Sequence, residues 1–410
     1  MDDGTGIDEL GKSQHRKYWK DLIVIPYGRQ DIRQEDLSAV LEVLQSDFLT
    51  QGPAVPRFEE AVASYCNARR SLAMNSATSA LHISLLALGV GPGDWVWTSP
   101  NTFVASSNAA LYCGASVDFV DIDPDTFNMS VSILDNKLAE AQKNGKLPKV
   151  VVPVHLAGQS CDMLGIHKLA KRYGFKIVED ASHAIGGQYL GLPIGNCIYS
   201  DITVFSFHPV KIITSAEGGM ALTNDDALAD KMNLLRSHGI TRDPALMSHS
   251  PDGPWYYQQV ALGYNYRMSD LHAALGLSQM TRLNEYVDKR HKIADFYSKE
   301  LVSLPLELPF QESYSRSSYH LYIIRLQRDK IAPLTHNQVF ESLRDQGILV
   351  NIHYIPVHTQ PYYRAMGFKW GDFPNAEAYY RSAISIPMFP TLNETDQKYV
   401  ISSLQEILKN

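Results

Sequence analysis

Lys211 closes the stretch Phe205-Ser206-Phe207-His208-Pro209-Val210, and its neighbours Val210, Ile212 and Ile213 are apolar. A loop lysine is ordinarily a solvated charge. Apolar neighbours enclose it, and enclosure lowers the amine's pKa and makes it a nucleophile. Asp180 ends the segment Ile177-Val178-Glu179-Asp180. A carboxylate at the carboxyl end of an apolar strand stands where open α/β sheets bind ligands, or else it caps a turn. Away from water it needs partners. Glu179 beside it reads as a structural or solvent-facing partner. The run Asn75-Ser76-Ala77-Thr78-Ser79-Ala80 leaves a strand and opens a helix with small residues only. Free N–H groups and the helix dipole make such a start an anion site, to which the hydroxyls of Ser76 and Thr78 add donors. The alternative is a plain Ser/Thr cap.

A cup for an anion, an acid and an enclosed lysine fit one cofactor. Pyridoxal phosphate takes a lysine at its reactive carbon, an acid opposite its ring nitrogen and a cradle for its phosphate. The three pieces occur in that chain as cup, acid, lysine. The glycine-rich run Gly89-Val90-Gly91-Pro92-Gly93 is a different matter. It follows a helix and precedes a strand, so it reads as a helix C-terminal turn and not as a dinucleotide loop.

These residues need a scaffold, and the periodicity supplies one. Strands are expected at 71–74, 95–98, 117–120, 150–154, 176–178, 203–207 and 220–223, and helices at 36–44, 56–65, 78–88, 105–113, 131–143 and 163–173. Strands alternating with helices mean βαβ units and a largely parallel sheet. Val150-Val151-Val152 is apolar on both faces, as a sheet covered on both sides requires. A long helical pattern over 269–301 leads to a second unit with strands at 321–326 and 349–354 and helices at 338–346, 376–383 and 396–408.

With 410 residues, 45% hydrophobic and 20% charged, the chain can bury a large core, which excludes wholesale disorder and fibrous classes. Its 37 Lys and Arg against 44 Asp and Glu leave a charge of −7, which argues against nucleic acid as a partner. Cys66, Cys113, Cys161 and Cys197 are scattered, without a CxxC pair or zinc spacing, so neither a disulfide framework nor a metal site is expected. No apolar run approaches a membrane span, and the start lacks a basic-then-apolar leader. A cytoplasmic protein with no membrane contact is expected. Residues 1–22 read as a polar arm, 23–268 as the large cofactor-binding domain, and 269–410 as a linking helix with a small C-terminal domain.

One ordered set of motifs carries a resemblance: Leu49-Thr50-Gln51-Gly52-Pro53, Thr102-Phe103-Val104-Ala105, Glu179-Asp180-Ala181, Phe205-Ser206-Phe207 with Lys211, Glu217-Gly218-Gly219, and Gly263-Tyr264-Asn265-Tyr266-Arg267-Met268. From about residue 25 to its end the chain resembles the sugar-nucleotide aminotransferases of fold type I, the DegT/DnrJ/EryC1/StrS family. The resemblance implies a mostly parallel central sheet covered by helices on both faces, with a smaller C-terminal α+β domain. It implies pyridoxal 5'-phosphate as cofactor and Lys211 as Schiff-base lysine and proton shuttle. Asp180 would partner the pyridinium, and His183 would bond the ring hydroxyl in a place where many relatives have Gln. Phe103 would stack on the ring, and Ala77, Thr78 and Ser206 would hold the phosphate. Asn265 would reach the cofactor of the other subunit, which implies a homodimer with shared sites. Tyr27, Arg267, His353 and Tyr354 are the candidates for substrate contacts, with Arg267 and His353 also able to serve carboxylates.

Two positions depart from the family pattern. Ala77 stands where Gly is usual, which requires a backbone there without positive φ, and His208 stands where Tyr is usual. With Phe207-His208-Pro209-Val210-Lys211 and Asn351-Ile352-His353-Tyr354-Ile355-Pro356-Val357-His358, the pattern is similar to one subgroup. That subgroup serves pseudaminic acid biosynthesis, transferring the amino group of L-glutamate to C4 of a UDP-linked 4-keto-6-deoxy-N-acetylhexosamine of L-altro type. The alternatives are amination of another nucleotide keto-sugar at C3 or C4, and a non-catalytic cofactor-bound regulator. A sugar dehydratase of the same family would have His in place of the lysine, and Lys211 argues against it.

Overall fold

The computed structural model describes residues 24–409. The arm expected over residues 1–22 lies outside them. The centre is a seven-stranded sheet. Its strands are β1 (Arg70–Met74), β2 (Trp95–Thr98), β3 (Ser116–Phe119), β4 (Val150–Val152), β5 (Lys176–Asp180), β6 (Ile202–Ser206) and β7 (Gly219–Thr223). They lie in the order β1-β7-β6-β5-β4-β2-β3. All run parallel except β7, which is antiparallel to both β1 and β6.

Alternation along each strand separates two buried faces. Val96, Val150, Val152, Val178, Val204 and Ala221 face one core. That core contains the helices α3 (Ala77–Ala87), α4 (Ala105–Tyr112) and α7 (Asp226–Leu235). Between these in the chain come α5 (Val131–Asn144) and α6 (Met163–Tyr173), and before them α1 (Gln34–Leu44) and α2 (Ala54–Cys66). Trp97, Val151 and Ile177 face α5 and α6 on the opposite side. Ala73, Phe205, Met220 and Leu222 face α2 and α8 (Asp270–Met280) there. Six strands therefore direct their carboxyl ends to one edge, and the antiparallel β7 begins at that same edge.

A further core gathers α9 (Leu283–Leu301), α10 (His336–Asp345) and α11 (Glu394–Lys409). They pack around a three-stranded antiparallel sheet of Leu306–Glu307, Tyr322–Leu326 and Ala383–Ile386. Three elements differ from the sequence reading. The single helix expected over 269–301 is two helices, α8 and α9, broken at Arg282. The Arg282 guanidinium turns inward to both carboxylate oxygens of the fully buried Asp36, each at 2.6 Å. Such a pair resists separation, because removing one partner strands a buried charge at a cost of about 3–5 kcal/mol. The strand expected over 349–354 stops after Ile348–Leu349, which pairs with Ile25–Pro26. Beyond it, Asn351 bridges only Ser385 and the chain turns toward the sheet edge. The helix expected over 376–383 ends at Tyr380, and Ala383 already belongs to a strand.

Candidate active site

A cavity of about 500 Å³ lies at the carboxyl edge of the sheet. Lys211 stands in the loop after β6, half-buried and facing this cavity. Burial pushes its amine down to about 8, and Asp180 opposes that shift. An amine in that range is still mostly protonated at neutrality, but its free-base fraction far exceeds that of an ordinary lysine, so it can both take and give a proton.

Asp180, at the end of β5, is 5% exposed, and both of its oxygens are engaged. Ser106 of α4 donates to Oδ2 at 2.5 Å. Ser182 donates its N–H at 3.2 Å and its hydroxyl at 2.5 Å to Oδ1. Donors on both oxygens fix the orientation of the carboxylate. Glu179, next to it, points to the other side and is structural. It is buried, accepting from His155 Nε2 at 2.7 Å, from the Thr203 hydroxyl at 2.9 Å and from Ser200. Burial alone would raise its pKa; the bonds from His155, Ser200 and Thr203 outweigh it and hold the group ionised.

The anion cup forms at the start of α3. Ser76 caps the helix by accepting the Ser79 N–H at 3.1 Å. The amides of Ala77 and Thr78 have no acceptor within the helix, because the first turn lacks a preceding one. Ala77 is helical without positive φ, which is how alanine serves where glycine is usual. The Gly-Gly pair that opens β7 is needed for close approach. A Cβ on Gly219 would lie 2.3 Å from the Ala77 nitrogen, and one on Gly218 would lie 2.2 Å from the Ser215 hydroxyl. Ser206 lines the same end of the cavity.

The remaining wall comes from loops. His183 and Tyr354 are joined, Nε2 to hydroxyl, at 3.0 Å. His353 Nδ1 is 2.8 Å from the Ser385 hydroxyl, and its ring lies 5.2 Å from that of Tyr27. Burial, with Lys211 adding to it, drives His353 down to about 3, so it is neutral at any physiological pH. Phe103 lies across the mouth, 57% exposed, with its ring 6.1 Å from that of Tyr354.

Of the expected site residues, Tyr27, Ala77, Thr78, Phe103, Asp180, His183, Ser206, Lys211, His353 and Tyr354 meet in this one cavity. Asn265 and Arg267 do not line it. Asn265 is exposed, and Arg267 lines a separate cleft, bonded to the Ser237 hydroxyl at 3.0 Å. Sequence reasoning missed Ser106, Ser182 and His320. Ser182 lies two residues past the candidate acid Asp180, which was the available signal; Ser106 lies one helical turn past Thr102 and 74 residues from Asp180, so nothing local tied it to the acid. His320 packs 4.4 Å from His183 and comes from the C-terminal unit, with no local motif to mark it. Among the described residues no group of three or more His, Cys, Asp and Glu is placed to hold a metal ion. None of the helices there is long and apolar enough to cross a membrane.

The donor set fits pyridoxal phosphate: paired acceptor oxygens for a ring nitrogen, unpartnered amides for a phosphate, and a lysine of lowered pKa facing both. On this topology those groups define a pyridoxal-phosphate enzyme of fold type I. The chain belongs to the DegT/DnrJ/EryC1/StrS aminotransferase family, whose profile matches residues 30–405. It is 38% identical to the UDP-4-amino-4,6-dideoxy-N-acetyl-beta-L-altrosamine transaminase of Campylobacter jejuni, over 94% of this chain and 98% of that one. Among solved structures it is similar to Helicobacter pylori PseC, an aminotransferase involved in the biosynthesis of pseudoaminic acid, with a TM-score of 0.86 and 30% identity, covering 94% of this chain and 100% of that one. It is also similar to the PLP form of the putative sugar aminotransferase Spr1654 from Streptococcus pneumoniae, with a TM-score of 0.84 and 29% identity, covering 94% and 99%. The protein is an aminotransferase, and pyridoxal phosphate is its cofactor.

Proposed function

We propose that the enzyme transfers the amino group of L-glutamate to C4 of a UDP-linked 4-keto-6-deoxy-N-acetylhexosamine of L-altro type, a step of pseudaminic acid biosynthesis. The observation that carries the chemistry is the meeting of Lys211, Asp180 and the α3 start in one cavity. The sugar rests on the subgroup motifs and on the named activities of the Campylobacter and Helicobacter relatives.

The cofactor, when bound, supplies the electron sink for the carbon that loses or gains a proton. Lys211 moves that proton, first from glutamate Cα and later to sugar C4. Its lowered pKa suits it to both directions. Asp180 would hold the ring nitrogen protonated, with Ser106 and Ser182 orienting its carboxylate. Ala77, Thr78 and Ser206 receive the phosphate, and Phe103 covers the ring. Tyr27 and His353 face the sugar side, with His353 neutral and able to donate or accept without adding charge.

The working unit is a homodimer in which Asn265 and Arg267 act at the partner's cavity, consistent with their exclusion from their own. Residues 23–268 form the cofactor-holding unit and 269–410 the unit that closes the sugar side. Four free, buried cysteines suit a reducing cytoplasm. The test is a pair of half-reactions on the loaded protein. Glutamate should bleach its visible absorbance, and a panel of UDP-keto-sugars should restore it, the L-altro 4-ketone fastest. Recovery with a 3-keto-sugar alone would replace the substrate assignment.

A further inference from the structure

The polarity of one short chain of hydrogen bonds is fixed by its ends. The Ala157 N–H donates to His183 Nδ1 at 3.3 Å. That nitrogen is therefore an acceptor and the ring proton sits on Nε2. Burial, with Lys211 and His353 adding to it, keeps His183 uncharged, so no second proton reaches Nδ1. Nε2 then donates to the Tyr354 hydroxyl at 3.0 Å. A tyrosine that accepts from one side keeps its own proton for another acceptor. Burial, with Asp180, Tyr27 and Tyr379 adding to it, raises the Tyr354 phenol, so the proton stays on. Among the groups that line the cavity, Lys211 and Asp180 face this pair from the sheet edge, His320 from behind His183, and Tyr27 and His353 from the sugar side. None of these five groups is hydrogen-bonded to the Tyr354 hydroxyl, whose partner is His183, so its hydrogen is free to donate to a ligand.

Pyridoxal phosphate offers three polar handles besides its reactive carbon: ring nitrogen, phosphate and ring oxygen. Asp180 serves the first and the α3 start the second. We propose that Tyr354 donates the hydrogen bond to the anionic ring oxygen, and that His183 is a positioning residue acting through Tyr354. The family resemblance by itself would put His183 on that oxygen directly. This inference rests on the cofactor assignment above.

A donor aimed at an anionic oxygen opposes its protonation, so removing the donor raises the pH midpoint of the bound cofactor's visible band. Tyr354→Phe should raise it by about one unit, a tenfold change in proton affinity, and should weaken pyridoxal phosphate binding to the apo-protein about tenfold. His183→Ala should shift the midpoint the same way by less. In the Tyr354→Phe background it should add nothing further, because its effect passes through the missing hydroxyl. An undiminished His183→Ala shift in that background would place His183 on the oxygen and overturn the proposal. An unmoved midpoint in Tyr354→Phe, with KM for the keto-sugar raised instead, would assign the hydroxyl to the sugar and overturn it too. In the apo-protein, selective ¹⁵N-histidine labelling should show His183 protonated on Nε2; protonation on Nδ1 would also defeat the chain. Failure of the wild-type protein to bind pyridoxal phosphate would remove the functional reading itself and this inference with it.

Discussion

The hydroxyl of Ser106 donates to Asp180 Oδ2 at 2.5 Å, tying the first turn of one helix to the end of a strand two positions away in the sheet. Its proton is thereby committed, so the Thr102 hydroxyl at 2.7 Å must donate to it in turn. Two hydroxyls in series hold one oxygen of the acid, and Ser182 holds the other. Ser106→Ala frees a lone pair on Oδ2 and leaves Thr102 without this acceptor. Charge-assisted bonds of this kind contribute about 1.5–3 kcal/mol, so kcat/KM should fall roughly tenfold or more while the fold survives. Asp180→Asn should cost about a hundredfold or more, because a neutral amide cannot keep the ring nitrogen protonated. Single-turnover rates near wild type in Asp180→Asn would reduce Asp180 to a cap.

Lys211→Ala removes the amine that faces the cavity beside Asp180. Transamination should vanish and the visible band of the loaded protein should disappear, with circular dichroism and melting unchanged apart from the loss of cofactor stabilisation. Multiple turnovers by this variant would sink the assignment of Lys211.

How far the sequence spoke depended on whether a signal was local. The strands of the large sheet were legible because burial on both faces requires uninterrupted runs such as Val150-Val151-Val152. Lys211, Asp180 and the α3 start were legible because each ends or begins such an element. The strand expected over 349–354 failed for a physical reason: Val350 and His353 are buried by tertiary packing, not by a ladder, so apolar and aromatic content misled. Ala383–Ile386 was missed because the strand is only four residues long and follows within three residues of the helix Pro374–Tyr380, whose pattern was read on to 383. The break at Arg282 depends on Asp36, far away in sequence, and His320 meets His183 only through the fold.

The lowered pKa of Lys211 also sets a dependence of apo-protein stability on pH. Below about 8 the folded and unfolded chains both hold this proton, and the burial cost is constant. Between about 8 and the ordinary 10.5 the unfolded chain holds a proton that the folded one has released. Stability from this group therefore rises with pH across that window, by at most about 1.4 kcal/mol per unit, and stops rising above it. Urea unfolding of apo wild type and apo Lys211→Met, compared from pH 7 to 10.5, should show the rise in wild type alone. Parallel curves would mean that the lysine is not enclosed.

Gly219 lets β7 start against the first residue of α3. Its replacement by Ala sets a Cβ 2.3 Å from the Ala77 nitrogen and 2.4 Å from the Ser76 carbonyl carbon, both backbone atoms. The helix start must shift, and the amides of the anion cup shift with it. Gly219→Ala should weaken pyridoxal phosphate binding more than it weakens pyridoxal binding, since only the first carries the anion. Calorimetric titration of the apo-protein with both ligands measures the difference. Equal losses would show general damage and would separate the cup from the phosphate.

Asn265 is exposed and does not line the cavity that Lys211 faces. It sits in the turn Gly263-Tyr264-Asn265-Tyr266-Arg267, just before α8, where Ser237 bridges it and Arg267 bridges Met74. In the proposed shared-site arrangement this asparagine would reach the phosphate at the other subunit's site. A mixed dimer of Lys211→Ala and Asn265→Ala subunits discriminates. If Asn265 acts across the interface, one site carries both lesions and the other carries neither, so the mixed dimer should recover up to about half of wild-type activity where each parent dimer is impaired. If each lesion acts within its own subunit, every site keeps one lesion and no recovery appears. That result, or a fully active monomer by light scattering under assay conditions, would remove the shared site.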